Sequence, residues 1–283
     1  MSLARFKDAQ AKPLLVSDAQ NPRRTFRALE DMGLAFSRWR LPMALAMLDI
    51  RNRYRGSVLG PMWLTLSTVI TFVALGLLYS TLFKMELHDY LPFLVVSMIL
   101  WNVLSQVVSE ATAALTAAEG IIRQMPLPYT VHVLRCLIRN AVVAAHSLPL
   151  ILVVFWLFDT VPGLGALMAL PGLVLFCLNA FAAVMFLGML CARFRDIGPI
   201  VATVMQLAFF ISPVIWKPEL LGPQQYLLVL NPFYDLMEVV RGPLLGAPPS
   251  WPIWAAAMLF TAMNCAMSFV FFVRFRSRIA FWV

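Results

Sequence analysis

Lysine is nearly absent. It occurs as Lys7, Lys12, Lys84 and Lys217, and the residues before these are Phe, Ala, Phe and Trp. A Walker phosphate-binding loop needs Gly-Lys-[Ser/Thr], with the lysine reaching the phosphates. The chain therefore carries no such ATPase site. Charge of either sign is scarce as well, with 13% of the 283 residues Asp, Glu, Lys or Arg, against ~25% in soluble domains. His88, His132 and His146 form no metal spacing with one another,. Cys136, Cys177, Cys191 and Cys265 contain no C-x-x-C pair and read as small apolar packing residues,. No Ser/His/Asp grouping and no carboxylate pair stands out for catalysis. Residues 1–30 lack the continuous apolar core and small-residue cleavage site of a secretory signal.

What fills the chain is apolar: 61% of residues are hydrophobic. The uncharged run 62–83 holds 22 residues, enough at ~1.5 Å per residue to cross a hydrocarbon core of ~30 Å. Further runs at 91–109, 131–158, 165–190, 198–216 and 253–273 make six expected spans. The third is the least clean, since Arg135 and Arg139 fall in its first part. The formal charge of +8 then reports topology rather than nucleic acid. With both termini cytoplasmic, the external segments hold only Lys84, Lys217 and Arg241, and every other basic residue of the 22 is inside. The inverted arrangement breaks the positive-inside rule.

The pattern divides the chain into a flexible N-terminus (1–20), a cytoplasmic amphipathic region (21–59), a six-span domain (60–273) and a basic-aromatic tail (274–283). Asn21-Pro22 reads as a cap and first helical residue. Phe26, Leu29, Met32, Phe36 and Trp39 follow at helical spacing, with Arg23, Arg24, Arg27, Glu30, Asp31, Arg38 and Arg40 available for the polar side. That suits a helix lying in the membrane interface beside anionic lipid. Asp49 precedes Arg53 by four residues, the favourable order for an intrahelical ion pair. Arg51, Arg53 and Arg55 stand just before the first span, where they anchor it to the cytoplasmic side or bind a phosphate through guanidinium forks. Glu119, Gly120, Ile121 and Arg123, stopped by Pro126 and Pro128, form a helix-sized loop where a plain turn would have sufficed. That suits docking onto another protein or a simple connector. Between the fifth and sixth spans, 227–230 and 236–240 are too apolar for an aqueous loop and too short to cross. They are expected as a re-entrant or interfacial hairpin, with Asn231 and Pro232 starting its second helix. Trp101 and Asn102 lie mid-way along the second span, where their polar groups need partners. They are read either as packing residues or together as the lining of a pathway.

Asp49-x-x-x-Arg53-Tyr54-Arg55-x-Ser57-x-Leu59-Gly60-Pro61-x-Trp63 resembles the pre-span signature of transmembrane subunits of ABC-2 type polysaccharide exporters, those of O-antigen, capsule and teichoic acid, the O-antigen type above all. Four other stretches agree. They are Arg195-Asp196, Ser212-Pro213-Val214, Asn231-Pro232-Phe233-Tyr234 through Glu238 and Arg241-Gly242, and the tail from Phe275 to Trp282. The resemblance implies a channel-forming permease of the bacterial inner membrane, built from two copies of the chain. Two separate ATP-binding-cassette subunits would dock below and bind the ATP and Mg. The cargo would be a lipid-linked glycan. It further implies a coupling element at 119–128, an interface helix within 23–54 and external gate residues Asn231, Pro232, Phe233, Tyr234, Glu238 and Arg241. An ABC-2 exporter of a drug or small lipid is the alternative. A membrane enzyme processing lipids or glycans would need a polar catalytic cluster at one membrane face, and none is seen.

Overall fold

The computed structural model of the protein describes residues 23–55, 62–160 and 162–283. The expectations for 1–20, Asn21-Pro22 and the 56–61 part of the pre-span signature lie outside them. Every regular element among the described residues is helical. In chain order these are α1 (Arg24–Ser37), α2 (Arg40–Arg53), α3 (Met62–Phe83), α4 (Leu87–Ala111), α5 (Glu119–Gln124), α6 (Tyr129–Ala145), α7 (Leu148–Leu157), α8 (Ala169–Arg193), α9 (Ile197–Ile211), α10 (Pro232–Leu244), α11 (Trp251–Phe275) and α12 (Ile279–Trp282), with short 3-10 turns between some of them.

Among the described residues, five stretches are long and apolar enough to cross a membrane: Leu66–Phe83, Leu87–Ala111, Tyr129–Leu157, Leu164–Arg193 and Trp251–Trp282. The expected fifth of six, at 198–216, is shorter. α9 has 15 residues, ~22 Å of helix, less than the ~30 Å core. Pro213 is the cause, because a residue before proline is driven out of the helical region, and Ser212 is extended. The expected third span is two helices. Pro149 has no N–H for the turn before it and belongs in a first turn, so α6 ends at Ala145 and α7 restarts at Leu148.

α4 is the axis of the bundle. It packs against α3, α6, α7, α8, α9 and α10, and its run from Tyr90 to Ile99 is buried on all sides, as an apolar-all-round helix must be. α10 lies on α8, α11 and α4. A Cβ at Gly172 of α8 would collide with the Val239 carbonyl of α10, so glycine there permits the close approach.

α1 is amphipathic, but the packed face is not the one with the large side chains. Ala28, Asp31 and Ala35 are buried, while Phe26 is 64% and Trp39 55% exposed. Small residues and Asp31 seat the helix, with Met32 and the Phe36 ring touching the bundle at its edge, while Phe26 and Leu29 point away.

Candidate functional site

A polar stripe runs down one face of α4. Asn102, Ser105, Gln106, Ser109 and Glu110 recur at helical spacing and open into a cleft of about 470 Å³. Thr68 of α3 and Asn140 of α6 line it too, together with His146 and Ser147, which the α6–α7 break turns outward. His146 is not a packed histidine: it is exposed, with Nδ1 2.7 Å from the Val142 carbonyl of its own helix. Hydroxyls and amides from α4 share the lining with Ile99, Val103, Val143 and Ala144. Such a surface hydrogen-bonds neutral hydroxylated groups and offers no acid–base pair.

Ion pairs close one end of the cleft. Asp49 of α2 accepts from Arg135 Nε at 2.7 Å and Nη2 at 2.5 Å, and from Arg139 Nη1 at 2.8 Å. Glu110 of α4 accepts from Arg139 Nε and Nη2 at 2.9 and 2.6 Å, from Arg53 Nη2 at 2.8 Å and from Asn140 Nδ2 at 2.8 Å. The expected Asp49–Arg53 pair is therefore not the one formed. α6 presents two arginines to Asp49, and Arg53 turns to Glu110. Burial by itself would raise the Asp49 carboxyl, but the hydrogen bonds and charges of Arg135 and Arg139 outweigh it and hold it below its ordinary value,. The arginines that made the third span look unclean are this network.

A second cluster sits on the same side of the molecule. Asp31 of α1 is buried and accepts from the Tyr129 and Thr130 backbone N–H groups at 3.2 and 3.0 Å and from Thr130 Oγ1 at 2.8 Å. It thus caps α6 from another helix, and Arg276 of the tail donates to it at 3.0 Å. Arg123 of α5 pairs with Glu119 at 2.8 Å and donates to the Val283 carbonyl at 2.7 Å. α1, α5, the start of α6 and the tail are tied together. Asp31, assigned to a polar helix face by periodicity, was the residue whose role sequence reasoning missed, because a cap supplied by a distant helix leaves no local pattern.

At the other end of α4, α10 is seated by its expected residues. Asn231 Oδ1 accepts from the Phe233 and Tyr234 N–H groups at 3.0 and 3.3 Å, and its Nδ2 donates to Ser212 Oγ at 2.9 Å. Pro232 takes the first turn. Arg241 is 1% exposed. It pairs with Glu238, donates to Ser97 Oγ at 2.8 Å and the Pro213 carbonyl at 2.7 Å, and lies 4.4 Å from the Phe93 ring centroid.

The remaining sequence candidates scatter. Trp101 is 5% exposed and packs on Phe209 and Phe233 at 5.6 and 5.9 Å between ring centroids. It faces the core while Asn102 faces the cleft. Arg51 and Arg55 are exposed on an open recess of about 580 Å³ with Tyr54. Gly120 and Pro126 are exposed beside Ile121 in the α5 loop.

Residues 42–245 match the family described as ABC-2 type transporter. The chain is 24% identical over 237 residues to the O-antigen export system permease protein RfbA of Myxococcus xanthus, covering 82% of this chain and 91% of that protein. It is 20% identical over 194 residues to the protein of the same name from Klebsiella pneumoniae, covering 67% and 74%. The family match spans most of a chain whose helices are of membrane-crossing length, and the chain belongs to the ABC-2 type transporter family.

Proposed function

We propose that the chain is the channel-forming permease subunit of an ATP-driven exporter of a lipid-linked polysaccharide across the bacterial inner membrane. The observation that carries this reading is the uncharged polar face of α4, from Asn102 to Ser109, on a helix otherwise buried in apolar side chains. A glycan presents many hydroxyls and little charge, so serines and amides match it, while apolar walls suit a drug or small lipid better. The name of the two relatives points the same way.

In this reading two copies of the chain face one another across their clefts. Both termini are cytoplasmic, and α9 with 212–216 completes a sixth crossing. α1 lies in the interface with Phe26 and Trp39 toward lipid. Two ATPase subunits, which bind the ATP and Mg, dock on Glu119 to Pro126. Arg51 and Arg55 face the lipid phosphate, since Arg53 is engaged by Glu110. α10 serves as the external gate.

The test is glycan export in cells carrying Asn102→Trp or Ser105→Trp. A bulky ring in the stripe is expected to reduce surface glycan at least tenfold at unchanged protein level, whereas Trp101→Phe, in the core, leaves it unchanged. Normal glycan in both cleft variants removes the cleft from the pathway.

A further inference from the structure

Apart from the cleft and the α10 seat, a recess of about 520 Å³ lies where α1 begins and α11 ends. Arg24, Arg274 and Arg278 line it on the polar side, and Phe269, Val270 and Val273 on the apolar side. Among the described residues, no acidic side chain lines it. Arg274 and Arg278 rest over the Phe275 ring at 5.6 and 5.9 Å, a contact that orients a guanidinium while leaving its N–H edge available. The apolar side is open to the surroundings, with Val270 63% exposed. Above it on α11, Leu259, Met263 and Met267 continue the same exposed track at spacings of four, four and three residues. A groove that is cationic at the end of a spanning helix and apolar along its outer face has the two-part chemistry of one membrane lipid.

From this juxtaposition we infer that the recess is a binding site for an anionic membrane phospholipid, its phosphodiester held by Arg274 and Arg278 beside Arg24 and its acyl chain lying along Val270, Met267, Met263 and Leu259. Guanidinium groups bind phosphate oxygens in bidentate fashion. The guanidinium groups of Arg274 and Arg278, with no acid among the described lining residues, favour a head group of net negative charge over a zwitterionic one,. Arg276, on the same tail, holds Asp31 and through it the start of α6, so an occupied recess braces the joint of α1 with the tail. This inference goes beyond the transport reading and rests on no statement about the cargo.

The experiment uses the full-length protein, purified in detergent, stripped of bulk lipid, mixed with equal amounts of phosphatidylglycerol and phosphatidylcholine of matched chains, and read by native mass spectrometry. The unaltered protein is expected to retain phosphatidylglycerol in clear excess, and this measurement needs no variant. Arg274→Gln and Arg278→Gln are each expected to lower that excess by about fivefold, the effect of one basic residue at an anionic surface. Arg38→Gln and Arg40→Gln, each the same single charge change at the α1–α2 joint, leave it intact. Equal retention of both lipids overturns the inference. So does an equal loss in the Arg38 and Arg40 controls, which assigns the preference to overall charge, or displacement of the lipid by inorganic phosphate or glycerol phosphate at millimolar level, which assigns the recess to a soluble anion.

Discussion

At the α1 end of the bundle Arg53, Arg135 and Arg139 reach acids supplied by other helices, whereas at the α10 end Arg241 takes its carboxylate from Glu238, three residues earlier on its own helix. The first arrangement is shared: Arg139 contacts both Asp49 and Glu110, and each acid keeps another donor if one is removed. The second is concentrated, since Arg241 alone of its pair also joins α10 to Ser97 of α4 and to the Pro213 carbonyl beyond α9. Distributed pairs tolerate the loss of one member. A single buried hub does not, because its removal takes the cation from the half-buried Glu238 and the donor from the Pro213 carbonyl at once,.

The largest expected effect follows from that contrast. Arg241→Met should lower stability by about 3–5 kcal/mol, the range for breaking a buried pair. Arg135→Met should lower it by about 1–2 kcal/mol, near the value of charged hydrogen bonds whose acceptor stays partnered. Thermal unfolding of the purified protein in detergent measures both. If Arg135→Met is as damaging as Arg241→Met, the contrast between shared and concentrated pairs is wrong.

The two ends should also answer pH with opposite sign. The Asp49 carboxyl sits below its ordinary 3.8 in the fold, so its contribution is full above about pH 4 and lost as pH falls through the depressed value. Asp235 of α10 is 2% exposed, and its Oδ1 has no hydrogen-bond partner among the described residues. Burial first, and the nearby Glu238 second, push its carboxyl up to about 7. A raised acid binds more protons in the folded than in the unfolded state between about 4 and 7, so stability rises as pH falls through that window. Asp235→Asn should therefore raise stability at pH 8 by about 1–3 kcal/mol, the cost of burying an uncompensated polar group, and change little at pH 4. Asp49→Asn should do the reverse, lowering stability at pH 8. A gain from Asp235→Asn of equal size at both pH values would show that its carboxyl does not titrate in the fold.

Much of the fold was legible because its signals are local. The run 62–83 is α3 to the residue, and Asn231-Pro232 is the cap and first turn of α10 in the expected roles. Non-local pairing was not legible. Asp49 and Arg53 have the spacing of an ion pair, but spacing says nothing of the two arginines that α6 brings within reach, and these take Asp49 instead. Grouping Trp101 with Asn102 failed for a geometric reason: neighbours on a helix point about 100° apart, so one faces Phe209 and Phe233 and the other the cleft. α9 fell short of a full span because its apolar run continues past Pro213 in composition while the helix cannot,.

The smallest expected effect on stability sharpens the comparison from outside the buried network. Glu119 and Arg123 form an exposed i, i+4 pair on α5, at 2.8 Å. Such a pair contributes only about 0.2–0.5 kcal/mol, so Glu119→Lys should leave the unfolding midpoint nearly unchanged. Arg123 also holds the Val283 carbonyl, and Arg123→Glu should cost about 1 kcal/mol through that lost bond. Stability and docking then separate. Under the proposed function both reversals weaken capture of the ATPase subunit in a pull-down, although only one measurably loosens the tail. The swap Glu119→Arg/Arg123→Glu restores the intrahelical pair with its order inverted. If capture returns in the swap, α5 needs only the stiffness that the pair provides. If capture stays low, the ATPase reads the two charges individually. Full capture in both single reversals would make α5 a plain connector, and the exposed pair would then be one more surface contact of little weight.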